Sequence, residues 1–273
     1  MDSIPALLRA YGLHPKKGLG QNFLADVSIL GQIVAAADLA PGDTVLEIGP
    51  GLGSLTRLLA ERAGRVVAVE IDQRLAAILG ERLADLRHVE IIRGDILKLS
   101  DFASLLGPAY KVVANLPYGI TSAVLRRLLE SDQRPCLMVV TVQREVAERI
   151  VAGPGDMSLL AVSVQFYGRP QIVARIPAGA FYPPPQVDSA VLRIDVNPEP
   201  VVALGDGVST ADFFRVVRAG FSQKRKMLRN ALSAGLVLAP ARVEEVLLQA
   251  GIDPRRRAET LSLPEWASLA GPL

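Results

Sequence analysis

Val45-Leu-Glu-Ile-Gly-Pro-Gly-Leu-Gly53 is the stretch of sequence that decides the fold. The apolar run Thr44–Ile48 predicts a buried strand, and the three glycines that follow predict a tight turn leading into a helix from Ser54. Glycine has no side chain, so the backbone can turn sharply there and a ligand can approach it closely. A strand, a glycine turn and a helix in this order are typical of the first unit of a doubly wound α/β domain.

The same alternation continues through the first two-thirds of the chain. The predicted strands are apolar enough to be buried on both faces of a parallel sheet, and segments with helical periodicity separate them. The strands are Thr44–Ile48, Arg65–Glu70, His88–Ile92, Lys111–Ala114 and Cys136–Val142, and the helices are Ser54–Glu61, Gln73–Leu83, Ser122–Leu129 and Glu145–Val151. Two further β-like runs, Leu159–Tyr167 and Val187–Val196, are placed to complete the sheet with antiparallel pairing. We therefore predict a Rossmann-like α/β fold.

The pattern changes near Asn197-Pro-Glu-Pro200. Only helical stretches follow, and the last begins at Ser262-Leu-Pro-Glu265, which has the pattern of a capping box. These stretches are Asp212–Phe221, Gln223–Ser233, Pro240–Ala250 and the segment after Ser262. We predict a Rossmann-like domain with an N-terminal basic arm over residues 1–200 and a small all-helical domain over residues 201–273.

The composition is that of an ordinary globular protein, with 21% charged residues and a formal net charge of +2. The positive charge is concentrated at the C-terminal end, because residues 205–273 hold ten Lys/Arg against seven Asp/Glu. The single cysteine, Cys136, excludes an internal disulfide and a thiolate metal cluster, and its apolar neighbours predict a buried, inert thiol. Because the sequence contains neither a membrane-spanning apolar run nor a secretion signal, we expect a cytoplasmic protein.

The spacing of the glycines distinguishes two kinds of nucleotide site. Dinucleotide-binding enzymes use G-x-G-x-x-G, which would need glycine here at Ser54 or Thr56. This spacing weakens the hypothesis of a nicotinamide cofactor. An acidic residue near the strand end followed by G-x-G-x-G, as in Glu47–Gly53, is instead typical of methyltransferases that use S-adenosylmethionine.

Two further carboxylates follow successive predicted strands. Glu70 ends the second strand, where a carboxylate can accept hydrogen bonds from both hydroxyls of a ribose. Asp95 follows the third strand and is placed to accept a hydrogen bond from an adenine amino group. Because ligands of open α/β sheets lie outside the carboxyl ends of the strands, this pair predicts a site for a nucleoside-shaped cofactor.

Asn115-Leu-Pro-Tyr118 directly follows the strand Lys111–Ala114 and is the most specific feature of the sequence. An exocyclic adenine amine is a poor nucleophile because its lone pair is delocalised into the ring. The side-chain carbonyl of Asn115 and the backbone carbonyl of Leu116 can accept hydrogen bonds from the amino protons. Pro117 restricts the backbone, and Tyr118 can stack on the base. We predict that these four residues are the catalytic site of an adenine-N6 methyltransferase.

With these residues in place, the sequence resembles the ribosomal RNA adenine dimethyltransferase family over almost its whole length, and the bacterial small-subunit type in particular. The matching blocks follow the family's order. They are Lys16–Leu24, Glu47–Gly53, Glu70, Gly94-Asp95, Asn115–Tyr118, Phe181–Ser189 and Phe221–Asn230. The chain departs from the family's common pattern at Gly119, where a larger polar residue is frequent, and at Gln186, where lysine is frequent.

The resemblance implies a cofactor, a substrate and a product. The implied cofactor is S-adenosylmethionine, without a metal. The residues expected to contact it are Asn22, Leu24, Gly49, Gly51, Glu70, Ile71, Asp95, Ile96 and Asn115. The implied product is N6,N6-dimethyladenosine at two adjacent positions in the 3′-terminal hairpin loop of 16S ribosomal RNA, made on the small ribosomal subunit by a monomeric enzyme.

Two stretches without acidic residues predict contact with RNA phosphates. Residues 213–243 contain Arg215, Arg218, Lys224, Arg225, Lys226, Arg229 and Arg242, and residues 3–25 contain Arg9, Lys16 and Lys17. Phe181, on the proline-rich loop Phe181–Ser189, is predicted to stack on the second face of the target base, with packing in the core as the alternative.

Three alternative functions stay open at this point. A large-subunit adenine methyltransferase would share the fold and a similar tetrapeptide, but the signature Gln223–Asn230 argues against it. A ribosome-assembly factor with a secondary methylation role is the second alternative, although the intact Gly49, Glu70 and Asn115 argue against an inactive enzyme. A nicotinamide-dependent dehydrogenase is the most remote.

Overall fold

The protein divides into two units, and a computed structural model describes residues 3–99 and 102–273, without the side chains of Lys17 and Ala103. The first unit extends to Ala147 and resumes over Arg169–Pro198. The second unit combines Glu148–Gly168 with Glu199–Leu273. The expected division at residue 200 differs from these units in one segment, because residues 148–168 belong with the C-terminal helices although they precede the last strands of the first unit.

Seven strands form the main sheet of the described residues, in the order β4-β3-β2-β5-β6-β9-β7. The five strands from β4 to β6 are parallel, and β9 is antiparallel to β6. A separate antiparallel pair joins β1 to β8. In chain order the strands are β1 Phe23–Leu24, β2 Thr44–Ile48, β3 Arg65–Glu70, β4 Val89–Arg93, β5 Lys111–Asn115, β6 Leu137–Gln143, β7 Gly168–Ile176, β8 Phe181–Tyr182 and β9 Ser189–Val196.

Helices alternate with the parallel strands and make up the second unit. In chain order they are α1 Ile4–Ala10, α2 Val27–Ala36, α3 Ser54–Ala60, α4 Gln73–Arg82, α5 Phe102–Leu106, α6 Thr121–Leu129, α7 Arg144–Val151, α8 Leu159–Tyr167, α9 Thr210–Phe221, α10 Leu228–Leu236, α11 Pro240–Gln249 and α12 Leu263–Ala270. A short 3₁₀ turn, Tyr118–Ile120, directly precedes α6. Within the described ranges, no helix has both the length and the hydropathy of a membrane span.

The central strands are buried along their length, which explains why their sequences are continuous apolar runs. Neighbouring residues of a strand point to opposite faces of the sheet, yet both Val66 and Val67 are fully buried, as are Val45 and Leu46. Both faces of the sheet are therefore covered. Each such side chain contributes roughly 1.5–3 kcal/mol by leaving water. Parallel strands end at one edge of the sheet, so β2, β3, β4 and β5 deliver the residues that follow them to the same place.

The predicted α/β class is confirmed, and each predicted parallel strand lies within one residue of the observed one. The helices that begin near Ser54, Gln73, Thr121 and Arg144 are confirmed as well. The strand predicted at Val187–Val196 is confirmed as β9, antiparallel to β6. These predictions succeeded because buried parallel strands and amphipathic helices leave the clearest hydrophobic patterns.

Three predictions are wrong. Leu159–Tyr167 is the helix α8, begun by the Ser158 side chain accepting from the Ala161 N–H, and the strand comes after it as β7. Six of the nine residues of α8 are buried, so its apolar residues show no helical period that would separate it from a strand. The helix predicted over Gln223–Ser233 begins only at Leu228, because residues 222–226 form a turn. Cys136 is exposed, since it precedes β6.

The second unit has an aromatic core. Phe166 of α8 stacks on Phe213 of α9 at a centroid distance of 4.4 Å, and Phe214 meets Phe166 edge-on at 5.1 Å. Trp266 of α12 is fully buried beside Gly220. The capping box predicted at Ser262 is confirmed, because Ser262 and Glu265 exchange side-chain-to-backbone hydrogen bonds.

Gly220 tests the packing of this core. A Cβ at Gly220 would lie 2.3 Å from Cη2 of the fully buried Trp266. We expect Gly220→Ala to lower the free energy of unfolding by roughly 1–3 kcal/mol, because the indole ring has no space into which to move. Gly80→Ala in α4 is the matched control: its Cβ would meet nothing within 4 Å, so stability should rise by about 0.5–1 kcal/mol. Urea unfolding measures both, and equal stabilities would contradict this packing.

Candidate active site

The glycine turn after β2 adopts backbone conformations that side chains disfavour. Gly49, Gly51 and Gly53 all have positive φ, at 69°, 59° and 83°. A Cβ at Gly51 would also lie 3.0 Å from a ring carbon of Phe23, and one at Gly53 would lie 2.6 Å from Leu79. The turn is therefore accessible to glycine alone at these positions, and it brings backbone close to the edge of the sheet.

Glu70, the last residue of β3, holds this turn in place. Its Oε2 accepts a hydrogen bond from the Gly51 N–H at 3.1 Å, and its Oε1 accepts one from the Asp72 N–H at 2.8 Å. The side chain is 4% exposed, and burial raises the pKa of its carboxyl, while the two backbone donors lower it in part. Each carboxylate oxygen retains a lone pair that a ribose hydroxyl can use.

A cavity opens beside Glu70, with an empty volume of about 1040 Å³ that includes its solvent-filled mouth. All the predicted cofactor residues line it, and so do all four residues of the tetrapeptide. The lining includes Asn22, Leu24, Gly49, Gly51, Glu70, Ile71, Asp95, Ile96, Asn115, Leu116, Pro117 and Tyr118.

Two isoleucines and Asp95 form the part of the cavity that suits a planar base. Ile71 is 53% exposed although it is apolar, and Ile96 is buried. Asp95 Oδ1 accepts a hydrogen bond from the Leu97 N–H at 3.0 Å, which fixes the carboxylate. An apolar surface next to a fixed carboxylate can bind an adenine ring and its amino group.

Asn115 ends β5 at the opposite wall of the cavity. Its Nδ2 donates to the backbone carbonyl of Asn22 at 3.1 Å, so the amide group has a defined orientation. This leaves the side-chain oxygen Oδ1 as a hydrogen-bond acceptor. The N–H of Leu116 donates to the Thr141 carbonyl at 3.3 Å, which anchors the next residue of the tetrapeptide to β6. The observed geometry agrees with the acceptor role predicted for Asn115, a role that stays a prediction.

The hydroxyl of Tyr118 is hydrogen-bonded to Ser189 Oγ at 2.6 Å. Ser189 is fully buried at the start of β9. Burial raises the pKa of the Tyr118 phenol, and the hydrogen bond with Ser189 lowers it in part. The Tyr118 hydroxyl is therefore neutral and already hydrogen-bonded to Ser189. A ligand in the cavity can contact only the rest of the ring.

An ion pair that the sequence did not indicate holds the N-terminal segment against the cavity. Lys16 Nζ lies 2.8 Å from Asp72 Oδ2, and Gln21 Nε2 donates to the same oxygen at 3.2 Å. Burial raises the pKa of Asp72, but the contacts with Lys16, the Arg74 N–H and Gln21 outweigh it and lower the pKa below its usual value. Lys16, predicted as a phosphate contact, thus has a structural partner. Lys17, predicted with it, has a side chain outside the described part of the protein.

Phe181 lies elsewhere than predicted. Its ring is 3% exposed and packs in the core with Leu24, Leu30 and Ile176. It pairs across β1 and β8 with Leu24, which lines the cavity, but Phe181 does not line the cavity itself. This contradicts stacking of Phe181 on a base in the described conformation, because the ring faces are already covered. The neighbouring Tyr182 is 39% exposed instead.

Five of the predicted basic residues lie in the second unit, in and around the turn between α9 and α10. Lys224, Arg225 and Lys226 are exposed in the turn, and Arg218 is exposed on α9. Arg229 is only half-buried in α10, and its Nη1 lies 2.7 Å from Glu244 Oε2. The turn and Arg218 are therefore better placed than Arg229 to meet a phosphate.

The fold and this site define the class of the protein: a Rossmann-like enzyme domain with a cavity at the carboxyl ends of its parallel strands, lined in part by Asn115–Tyr118. The chain belongs to the family described as "Ribosomal RNA adenine dimethylase", whose sequence profile matches residues 12–271. The predicted family is confirmed.

Relatives extend over nearly the full chain. A protein of Dehalococcoides mccartyi (strain ATCC BAA-2266 / KCTC 15142 / 195) is 52% identical over 98% of this chain and 92% of its own length. One of Moorella thermoacetica (strain ATCC 39073 / JCM 9320) is 49% identical over 99% of this chain and 98% of its own. Both are named "Ribosomal RNA small subunit methyltransferase A".

Solved structures share the fold. The 23S rRNA methyltransferase ErmE is 30% identical with a TM-score of 0.72, covering 92% of this chain and 99% of its own. A dimethyladenosine transferase from Plasmodium falciparum has a TM-score of 0.73 at 24% identity, covering 90% of this chain and 95% of its own. The Rossmann-like class predicted from the sequence is confirmed by these likenesses.

The residues of the cavity fit S-adenosylmethionine, and Glu47 provides the test. Glu47 lines the cavity, is 1% exposed, and its Oε2 has no hydrogen-bond partner among the described residues. The Thr56 hydroxyl lies close enough to lower the pKa of Glu47 in part. It is buried as well, and it forms no well-aligned hydrogen bond among the described residues. A buried polar atom left unpaired costs roughly 1–3 kcal/mol, which a cationic ligand would offset. The predicted donor carries both an ammonium and a sulfonium group.

Glu47 makes the stability of the ligand-free protein depend on pH. Burial raises the pKa of its carboxyl from 4.5 to about 8, and the negative charge of Glu70 adds to the rise. The folded protein therefore binds this proton more tightly than the unfolded chain. The resulting stabilisation is complete below pH 4.5 and is lost as the pH rises to about 8. We expect Glu47→Gln to gain stability relative to the parent protein between about pH 5 and pH 9.

Urea unfolding across this pH range measures the effect. Glu61→Gln, at an exposed carboxylate that follows α3, is the matched control for the loss of one carboxylate. A stability difference between Glu47→Gln and the parent protein that stays constant from about pH 5 to pH 9 would contradict the burial of a protonated carboxyl at Glu47.

Proposed function

We propose that this protein transfers methyl groups from S-adenosylmethionine to the N6 atoms of two adjacent adenosines in the 3′-terminal hairpin loop of 16S ribosomal RNA. The observation that carries the proposal is the orientation of Asn115. Its Nδ2 is occupied by the Asn22 carbonyl, so its Oδ1 is available at the cavity to accept from an amine. Family membership and the names of the 52% and 49% identical relatives support the same reaction on the small subunit.

The chain's own residues account for the activation of the amine. Bound S-adenosylmethionine supplies a methyl group on a sulfonium and leaves as a neutral thioether. Asn115 Oδ1 and the Leu116 carbonyl accept hydrogen bonds from the two N6 protons, so the nitrogen lone pair can turn away from the purine ring. Positive charge then develops at N6 as the N–CH₃ bond forms, and these two oxygens stabilise it without having to reorient. N6 then loses one proton to water, and Asn115 Oδ1 keeps its hydrogen bond to that N–H until the proton leaves.

The second methylation needs less from the site than the first. Monomethylated N6 retains one proton, so one of the two acceptors is sufficient. It also needs space for the first methyl group. Gly119 stands next to the tetrapeptide where the family often has a larger residue, and a Cβ there would meet nothing within 4 Å.

The small-subunit substrate is favoured over the large-subunit alternative by the relatives. The proteins named as small-subunit enzymes are 52% and 49% identical, whereas the 23S rRNA methyltransferase ErmE is 30% identical. We further propose that the enzyme acts in the cytoplasm as a single chain. Among the described residues, no cluster of His, Cys, Asp and Glu could hold a metal ion.

The test of the proposal is the product. Purified small and large ribosomal subunits, both lacking these modifications, are incubated separately with the protein and S-adenosylmethionine, and the RNA is analysed by mass spectrometry. Dimethyladenosine confined to the 3′-terminal loop of the small-subunit RNA is expected. Methylation of the large subunit alone would contradict the proposed substrate. Methylation of neither subunit would contradict the proposed activity.

Asn115→Ala should lower the rate of methyl transfer by at least roughly 100-fold, because the amine loses an acceptor that acts on the developing charge. The affinity for S-adenosylmethionine, measured by calorimetry, should change much less. Asn197→Ala is the control, since it removes a half-buried asparagine that follows β9 and does not line the cavity. Near-normal turnover by Asn115→Ala would contradict the role of its side-chain oxygen.

The exposed turn Lys224-Arg225-Lys226 should supply much of the affinity for RNA. Each lost phosphate contact lowers the slope of log Kd against log salt concentration by about 0.7–0.9. We expect the triple replacement by glutamine to reduce the slope by roughly 2 and to weaken binding at low salt, as measured by filter binding.

The control replaces Arg62, Arg87 and Arg169 by glutamine. These three arginines are exposed, and their replacement removes the same amount of charge as the replacement of the turn residues. It should leave the slope almost unchanged. If both triple variants lowered the slope equally, RNA binding would depend on net charge and not on the turn.

A further inference from the structure

Ser189 is the buried group at the site that the proposed reaction leaves without a role. Its side chain is fully buried, and its Oγ lies 2.6 Å from the Tyr118 hydroxyl. The two residues are 71 positions apart, so this contact exists only in the folded protein. It joins the tetrapeptide to the end of the proline-rich loop that precedes β9.

The backbone of Ser189 is fixed independently of Tyr118. Ser189 pairs with Gln143 in the antiparallel register of β6 and β9. The preceding Asp188 accepts a hydrogen bond from the Ala178 N–H at 3.1 Å through Oδ1, and its carbonyl accepts one from the Arg144 N–H at 3.0 Å. Ser189 Oγ therefore projects from the fixed end of a strand. A more mobile side chain that hydrogen-bonds to it is held in one orientation.

Tyr118 is the movable partner. It begins a single 3₁₀ turn, lines the cavity and is only partly buried. A tyrosine side chain rotates about two bonds, and a hydrogen bond at its far end restricts both rotations. A hydroxyl bonded to Ser189 is also unavailable as a ligand donor, so the ring face remains as the surface against which a base can lie.

We infer that Ser189 is a positioning residue for methyl transfer, because its hydroxyl fixes the ring of Tyr118 at the angle at which the target adenine stacks. This inference rests on the proposed function, since it deepens the role of Tyr118 in the same site. Ser189 acts through Tyr118 and contacts neither the donor nor the reacting amine.

The inference is tested by a double-mutant cycle of Ser189→Ala and Tyr118→Phe, measured as the single-turnover rate of methylation at saturating RNA and donor. Each single change should slow transfer roughly fivefold, the effect of one ordinary hydrogen bond. The double variant should be no slower than the slower single variant, because both changes remove the same bond. Donor affinity should be unchanged in all three.

A purely structural role for Ser189 gives different results. In that case Ser189→Ala would slow transfer by the same factor in the Tyr118→Phe background as in the parent, and this outcome would overturn the inference. Ser163→Ala is the control, because Ser163 is another buried serine whose hydroxyl donates to a backbone carbonyl, that of Leu159 at 2.8 Å. It should leave the rate unchanged.

The proposed function and this inference fail in separate ways. If the parent protein methylates no adenosine in small-subunit RNA, the proposed function is wrong. If the parent is active and Ser189→Ala is equally fast, the function stands and the positioning role of Ser189 is wrong.

Discussion

Parallel hydrogen bonding between β2, β3 and β5 is the constraint on which the site depends. It brings the residues after Ile48, Glu70 at the end of β3, and Asn115 at the end of β5 to one edge of the sheet. The register is fixed by side-chain packing, because a slip of one residue would turn every side chain to the opposite face of the sheet and away from the neighbours it fits. The cavity is therefore a consequence of the core, and the loops that line it start from fixed points.

The buried carboxylates at this edge show how the fold offsets the cost of polar groups. Asp72 is buried but has Lys16, Gln21 and a backbone N–H as partners, so the pKa of its carboxyl falls. Glu70 has two backbone N–H donors, which offset only part of the effect of its burial. Glu47 lacks a partner for Oε2 within the described chain, and its pKa rises most. Of these three carboxyl groups, Glu47 has the fewest hydrogen-bond partners in the protein, so it is the one that a cationic ligand would stabilise most.

The sequence predicted the parts of the protein that leave a local pattern. The parallel strands, the glycine turn and the tetrapeptide at Asn115 were identified because apolar runs, glycine spacing and residue chemistry can be recognised within ten residues or so. Helix α8 was missed because it is buried on most of its surface, and burial removes the period that identifies a helix. The contacts of Ser189 with Tyr118 and of Lys16 with Asp72 join residues far apart in the chain, so no spacing could have indicated them. Phe181 was misplaced for a related reason: an aromatic residue next to prolines does not show which side of its loop is covered.

The contacts around the tetrapeptide also explain why residue 115 is an asparagine and not an aspartate. The side chain has to do two things at once: donate to the Asn22 carbonyl, 3.1 Å from Nδ2, and keep an oxygen at the cavity. A carboxylate would place a second oxygen against that carbonyl, so two acceptors would repel each other where one hydrogen bond now stands. It would accept more strongly from an amine, but nothing would then fix its orientation. An amide combines a donor and an acceptor in one plane, so the bond to Asn22 sets the direction in which Oδ1 points. The acceptor is thereby ordered when the protein folds, and methyl transfer does not have to bear the entropy of ordering it.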